Sequence, residues 1–336
     1  MKIIDLFSGI GGFALGFQRA GYQFTEHYFS EIDKHAIANY KYNFPHAKYI
    51  GDITTLHGGD FTDIDIITFG SPCQDFSLAG RRAGLKGAKS SLIQHAIALI
   101  AQLRPSLFVW ENVKGALTSN ARADFWAIIQ AFANIGGYRL EWQLLNTSWV
   151  LPQNRERIYL VGHLAGRSIP GVFPFGENDK LLDRKTREKG WRGRNFKTSL
   201  ARTITARYSK MGSYDTYIVP KVAATLTGGG HSGGLHSDMT VIRQLKRGKN
   251  KGADLTICPT ISSNAFQENN LLNGVRRLTE IECERLQGFP DNWTQYGDYN
   301  GKIRRISKTQ RYKLIGNAVT VDIVELIAKR LKIYSR

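Results

Sequence analysis

The chain of 336 residues has only three cysteines, Cys73, Cys258 and Cys283. An odd and sparse set does not build a disulfide framework and reads as reduced thiols in a cytosolic protein. No CxxC pair occurs, so a structural zinc site, or any metal, is not expected. No apolar run of about 18 residues exists, which argues against a helical membrane span. The start, MKIIDLF, reads as a strand and lacks the charged start, apolar core and small-residue cleavage site of a signal peptide. The expectation is therefore a cytoplasmic protein without a membrane partner.

Acidic residues are also scarce: 28 Asp/Glu stand against 46 Lys/Arg, for a net charge of +18. The excess is regional. Residues 1–162 hold 15 Lys/Arg and 13 Asp/Glu, residues 163–275 hold 18 and 8, and residues 276–336 hold 13 and 7. A near-neutral first half followed by a basic second half points to a catalytic domain joined to a polyanion-binding region, with nucleic acid the favoured partner over a merely solvated basic surface.

What is present begins with strand, glycine loop and helix: Lys2 to Phe7, Ser8 to Gly12, then Phe13 to Ala20 ended by Gly21. That is the first unit of a nucleotide-binding α/β sheet. Glu31, twenty residues after Gly11, follows a strand over Glu26 to Phe29 and suits hydrogen bonding to ribose hydroxyls. The loop is not GxGxxG, which disfavours a nicotinamide dinucleotide. Asp33 to Tyr42 reads as a helix and Tyr49-Ile50 as a short strand. Asp52 after it either accepts from a ligand amine or makes an Asx turn.

Ile64 to Ser77, IDIITFGSPCQDFS, organises the rest. Its apolar run with a Gly/Ser/Pro stop predicts a central parallel strand. Cys73 then lies just past the carboxyl end, where open sheets bind ligands, unless it is a small cysteine packed under a loop. Gln74 to Ser91, with Arg81, Arg82, Lys86 and Lys89, reads as a long basic loop able to close on phosphates, or as a solvated loop. Leu92 to Leu103 predicts a helix and Leu107 to Trp110 a strand, which leaves Glu111-Asn112-Val113 at its carboxyl end. Strands joined by one crossover helix lie side by side or one apart, so Cys73 and Glu111 should face one crevice. A carboxyl there can donate a proton.

Phe125 to Asn134 predicts a helix, Tyr138 to Leu145 a strand and Ile158 to Val161 another. Arg155 and Arg157 share strand parity, so both guanidinium groups should point to one side, toward a phosphate or a base edge, or else make surface ion pairs. From His163 to residue 275 the texture turns polar and Gly/Ser/Thr-rich. Three Thr/Ile stretches, Arg202 to Thr205, Ala224 to Thr227 and Pro259 to Ser262, read as short strands. Arg207, Tyr208, Lys210 and Tyr214 mix basic and aromatic groups, as nucleic-acid contacts do. Thr279 with Glu282 forms a capping box for a helix to Leu286. Gly316 to Val319 then precedes a helix over Val321 to Leu331.

These blocks resemble the C5-cytosine DNA methyltransferase family, of the bacterial or phage restriction-modification type. DLFSGIGG at Asp5–Gly12 resembles its cofactor loop, SPCQDFS at Ser71–Ser77 its nucleophile motif, and ENV at Glu111–Val113 its acid motif. QNRER at Gln153–Arg157, RLTEIECERLQGFPDNW at Arg277–Trp293 and IGNAV at Ile315–Val319 resemble the remaining motifs in family order. The resemblance covers residues 1–162 and 276–336. It implies a Rossmann-like S-adenosylmethionine-dependent sheet over 1–165 plus 306–336. A smaller, mostly β and irregular target-recognition domain would occupy 166–305.

It further implies a cofactor site of Phe7, Ser8, Gly9, Gly11, Gly12, Glu31, Ile32, Asp52, Ile53, Pro72, Asn317 and Ala318. Catalysis would fall to Cys73, Glu111, Arg155 and Arg157. DNA contacts would come from Ser77, Arg81, Arg82, Lys86, Lys89, Arg207, and Thr225 with Leu226, although Thr203-Ile204 is an equal choice for the Thr-aliphatic pair. Two departures stand out. Gly87-Ala88-Lys89-Ser90-Ser91 replaces the family's usual acid and Arg, and Lys89 cannot fork like Arg. Ile32 stands where many members place an aromatic on adenine. The implied reaction adds a Cys73 thiolate to carbon 6 of a cytosine flipped out of duplex DNA, then methylates carbon 5. A C5-cytosine RNA methyltransferase and a catalytically silent DNA-binding protein are the alternatives. A monomer is expected, with a cognate restriction endonuclease an open question.

Overall fold

The computed structural model describes residues 1–72, 91–176 and 278–333, and the backbone of short strands between 201 and 277. The first half alternates as its sequence periods require. It runs β1 (Lys2–Leu6), α1 (Gly12–Arg19), β2 (Glu26–Ser30), α2 (Lys34–Asn43), β3 (Lys48–Tyr49) and β4 (Ile66–Gly70). It continues with α3 (Ser91–Leu103), β5 (Leu107–Val113), α4 (Ala123–Asn134), β6 (Tyr138–Asn146), β7 (Gln153–Asn154), β8 (Glu156–Leu164) and β9 (Ser168–Ile169).

Seven of these strands form one sheet in the order β3-β2-β1-β4-β5-β8-β6. The strand predicted to be central is the middle one. β3 to β5 pair in parallel, and β8 runs antiparallel to both β5 and β6. Each central strand buries both faces, so alternate residues serve opposite layers. Ile3, Ile66 and Val109 pack with Phe13 and Phe17 of α1. Ile4, Ile67 and Phe108 pack with Ile93 and Ile100 of α3 and with Phe125 and Phe132 of α4.

Two expectations are corrected. Glu111 to Val113 do not follow the strand but belong to β5. Their ladder continues because Tyr159, Ile158 and Arg157 of antiparallel β8 stand opposite them and satisfy the backbone. Arg155 lies between β7 and β8, not within the same strand as Arg157.

Between 201 and 277 the described backbone is all strand. It comprises β10 (Ala201–Arg202), β11 (Tyr208–Ser209), β12 (Tyr217–Val219), β13 (Val241–Gln244), β14 (Ala253–Leu255), β15 (Asn264–Ala265) and β16 (Arg276–Arg277). Four of them form an antiparallel sheet, β14-β13-β12-β16. The chain then returns through α5 (Glu280–Leu286), β17 (Tyr296–Asp298), β18 (Ile303–Arg305), α6 (Lys308–Asn317), α7 (Val321–Arg330) and β19 (Lys332–Ile333). Both halves of the α5 capping box form. The Thr279 amide donates to Glu282 Oε2 at 2.8 Å, and the Glu282 amide donates to Thr279 Oγ1 at 3.2 Å.

Both ends of the 166–305 stretch lie against the seven-stranded sheet and its helices. Gln143 on edge strand β6 bonds both the amide and the carbonyl of Phe175 at 2.7 Å. Glu141 accepts amides from Gly171, Val172 and Phe173. At the other end Asn39 of α2 donates to the carbonyls of Trp293 and Tyr296. Among the described residues no helix is long and apolar enough to cross a membrane.

Candidate active site

Two clusters meet at the carboxyl edge of the parallel strands. The first surrounds the loop after β1. Phe7 takes a left-handed backbone, φ +50°, a costly conformation for a residue with a side chain. The loop then turns over Ser8, whose amide donates to the Ser30 carbonyl at 3.1 Å. The Gly9 amide donates to Glu31 Oε2 at 2.9 Å, and Glu31 Oε1 accepts the amides of Ile32 and Asp33 at 2.8 and 3.0 Å. The sequence spacing of loop and acid is thus a contact. Gly12 begins α1 where a Cβ would lie 2.6 Å from Val319 Cγ2, so only glycine lets the helix start this close.

Ser30 Oγ holds the Gly51 carbonyl at 2.7 Å, which brings Asp52 beside Glu31. Asp52 caps the short turn after it, with Oδ1 accepting the Thr54 amide at 3.0 Å. The Asx-type turn is therefore real, and Oδ2 remains for a ligand. Ile53 is buried beneath the turn, whereas Ile32 is 73% exposed. Asn317 is exposed on the opposing side, and Ala318 beside it is buried with Ile10 in one apolar cluster.

These residues fit a nucleoside group. Ser8 Oγ is buried with no partner. A Cβ on Gly9 would meet nothing within 4 Å, so a cradle opens there. Glu31 and Asp52 supply the acceptors that ribose hydroxyls and an exocyclic amine require.

Beneath the loop, Asp5 of β1 is fully buried. It accepts from Thr68 Oγ1 at 2.9 Å and from the Tyr40 hydroxyl at 3.0 Å, and Tyr40 in turn meets His27 Nε2 at 2.7 Å. Burial pushes the Asp5 carboxyl up to about 8, against the pull of its two hydrogen bonds. Burial also holds His27 down to about 4. Sequence reasoning passed over this network, although an aspartate inside the apolar run KIIDLF was its signal.

The second cluster lies over β4, β5 and β8. Register places Gly70 opposite Glu111, Glu111 opposite Tyr159 and Val113 opposite Arg157. Glu111 Oε1 is buried and stands 3.1 Å from Arg157 Nε, an ion pair without full hydrogen-bond alignment. The pair keeps acceptor capacity on the carboxylate. Ser71 Oγ accepts from Trp110 Nε1 at 2.9 Å and from Asn112 Nδ2 at 3.0 Å. That double anchor fixes the chain at Ser71-Pro72, one step before Cys73.

Arg155 takes a different partner. It is 3% exposed, and its Nη2 donates to the Ala318 carbonyl at 2.8 Å. The two arginines therefore hold different partners, Ala318 and Glu111, and Arg155 precedes β8. Trp293, also unremarked in the sequence beyond its motif, donates from Nε1 to the Ile10 carbonyl at 2.9 Å and holds the loop after β1. Cys73, Ser77, Arg81, Arg82, Lys86, Lys89, Arg207, Thr225 and Leu226 lie outside the described residues, as does the alternative pair Thr203-Ile204.

The seven-stranded, mostly parallel sheet is that of a Rossmann-like methyltransferase fold, and both clusters lie at its strand ends. The profile of the C-5 cytosine-specific DNA methylase family matches residues 1–333. The Type II methyltransferase M.NgoBI of Neisseria gonorrhoeae is 32% identical over 98% of this chain and 92% of its own. M.HaeII of Haemophilus aegyptius, also a Type II methyltransferase, is 31% identical over 97% and 91%. A solved E. coli prophage protein described as a DNA modification methyltransferase shares the fold, with a TM-score of 0.59 and 21% identity over 98% and 97%. The chain belongs to the C-5 cytosine-specific DNA methylase family and is a DNA (cytosine-5-)-methyltransferase. The DNA reading is thereby favoured over the RNA alternative.

Proposed function

We propose that this enzyme uses S-adenosylmethionine to methylate carbon 5 of a cytosine flipped out of a short, specific duplex DNA sequence, through a covalent adduct at Cys73. The observation that carries the reading is the double anchor of Ser71. It fixes Ser71, two residues before Cys73 in the sequence, just after β4, whose Gly70 lies opposite Glu111 and near Val319, the residue that packs on Gly12. The cofactor, when bound, supplies an electrophilic methyl group. Glu31 and Asp52 would hold its ribose and adenine, and the Gly9 cradle gives its chain room.

Carbon 5 of cytosine is a poor nucleophile in the intact ring. Addition of the Cys73 thiolate to carbon 6 places electron density on carbon 5. Glu111 binds ring N3 and the exocyclic amine and stabilises the developing charge. Arg157 binds the ring carbonyl while it orients Glu111. After carbon 5 accepts the methyl group, loss of its proton expels Cys73 and restores the ring.

A base in the stack is out of reach, so flipping is required. The basic side chains Arg81, Arg82, Lys86 and Lys89 would contact phosphates. Ser77 would lie near the flipped site, and Arg207 with Thr225-Leu226 would act within a recognition region in 166–305. The setting would be the cytoplasm, as a monomer, with a cognate endonuclease as the natural companion of Type II relatives. The test is bisulfite sequencing of DNA from cells expressing the wild-type chain or Cys73→Ala. Methylation at one short motif, lost in the variant, is expected; a methylated motif that survives in the variant would refute the thiolate mechanism.

A further inference from the structure

We infer that Arg155 is a positioning residue for the cofactor: by holding the Ala318 carbonyl it sets the 317–320 crossover against the cofactor loop. The inference rests on the reading of the Gly9–Glu31–Asp52 cleft as the cofactor site.

Three observations converge on the crossover between α6 and α7. Ala318 caps the C-terminal end of α6, where carbonyls lack helical partners and a cation is favoured. The buried Arg155 guanidinium supplies that cation at 2.8 Å. Its own backbone is pinned on both sides, with the amide donating to Asn146 Oδ1 at 3.2 Å and the carbonyl accepting the Thr147 amide at 2.8 Å. Thr147 Oγ1 then meets Thr320 Oγ1 at 2.9 Å, and Thr320 Oγ1 bonds Gln287 Oε1 at 3.0 Å. The crossover is thus held from the QNRER segment and from α5 at once.

What the crossover touches gives this its consequence. Val319 packs where a Cβ on Gly12 would be, with its carbonyl oxygen 3.1 Å and its Cγ2 2.6 Å from that point. On the other side its Cγ1 is 3.9 Å from the Cβ position of Gly70, and Glu111 Oε2 is 3.3 Å from the same position. One residue therefore spans the gap between cofactor loop and base site, and Arg155 fixes its neighbour. Arg157, by contrast, is committed to Glu111.

The test is calorimetric titration of S-adenosylhomocysteine into the full chain without DNA, alongside thermal melting. Arg155→Gln should bind about tenfold more weakly, the order of one charge-assisted hydrogen bond. Arg155→Lys, which keeps the cation but loses the guanidinium fork, should bind about threefold more weakly than wild type. Arg157→Gln should stay within about twofold of wild type, since the base site is not read in this assay. Wild-type affinity in Arg155→Gln would overturn the inference, as would equal weakening in Arg157→Gln. If Arg155→Gln does not fold, Arg155→Lys decides: weaker binding at an unchanged melting temperature supports the inference, and wild-type binding overturns it. A wild-type chain that does not bind the probe would instead refute the cofactor reading itself.

Discussion

Over β1 and β2 the site is made of backbone amides and one local carboxylate: Gly9, Ile32 and Asp33 all donate to Glu31 within a stretch of 25 residues. Over β4, β5 and β8 it is made of side chains brought from afar, with Glu111 facing Arg157 across an antiparallel ladder. The first edge is largely set before any ligand arrives, because its backbone amides already bond Glu31, while the buried Ser8 hydroxyl is left without a partner. The second holds a carboxylate and a guanidinium that must take the base as an additional partner when it enters. One edge is preorganised by the chain's local turns; the other depends on topology, and its chemistry is correspondingly easier to break.

Removing the acid should therefore have the largest effect. Glu111→Gln should lower kcat by about 10³-fold, in the range of general acid–base groups. Cofactor affinity should hold within about twofold, and a radiolabelled methyl-transfer assay beside calorimetry reads both. Comparable losses in both would dissolve the distinction between the edges.

The preorganised edge breaks through its backbone. Gly12→Ala forces a Cβ onto Val319 and should cost about 2 kcal/mol of stability, as overpacking does. A lower denaturant midpoint and weaker cofactor binding should appear together; an unchanged midpoint would mean that the α1–crossover contact is slack.

The buried network below that edge gives a pH signature. Native Asp5 keeps its proton to about pH 8, while the unfolded chain loses it near the ordinary carboxylate value. Ionisation thus favours the unfolded state, and stability falls as pH rises between those values. His27, neutral in the native state down to about pH 4, contributes the opposite slope below its ordinary value. The two offset each other below about pH 6.5, and the Asp5 slope of up to about 1.4 kcal/mol per pH unit stands alone from there to about pH 8. Denaturant midpoints at several pH values should show that fall in wild type and lose it in Asp5→Asn. A flat wild-type profile would place the Asp5 proton elsewhere.

The smallest effect sharpens the comparison. Ile32 is largely exposed beside Glu31. Ile32→Trp should tighten cofactor binding by about threefold through ring stacking, without changing kcat. No gain would mean that position 32 does not face the adenine.

The same contrast explains what the sequence made legible. Glycine loops, caps and alternating apolar runs are local, so β1, β4, the Glu31 acid and the α5 capping box could be read directly. Glu111 could be placed next to the end of β4 because parallel strands joined by one helix have few arrangements. Arg155 was misdirected because parity holds only within one strand, and nothing local announces that β8 begins at Glu156. Its partner Ala318 is 163 residues away, a distance that only folding closes. The Asp5–Tyr40–His27 network was missed for the same reason, since its members sit on β1, α2 and β2. The roles proposed for Cys73 and for most of the cofactor residues rest on the resemblance to family motifs, because periodicity predicts elements and not chemistry.

The most direct test of the central claim is covalent trapping on a duplex that carries 5-fluorocytosine at the methylated site. In the presence of S-adenosylmethionine, fluorine blocks the final proton loss. Wild-type enzyme should form a denaturant-resistant protein–DNA adduct that maps to Cys73, and Cys73→Ala should form none. An active wild-type enzyme that leaves no adduct, or an adduct that persists in Cys73→Ala, would contradict the mechanism.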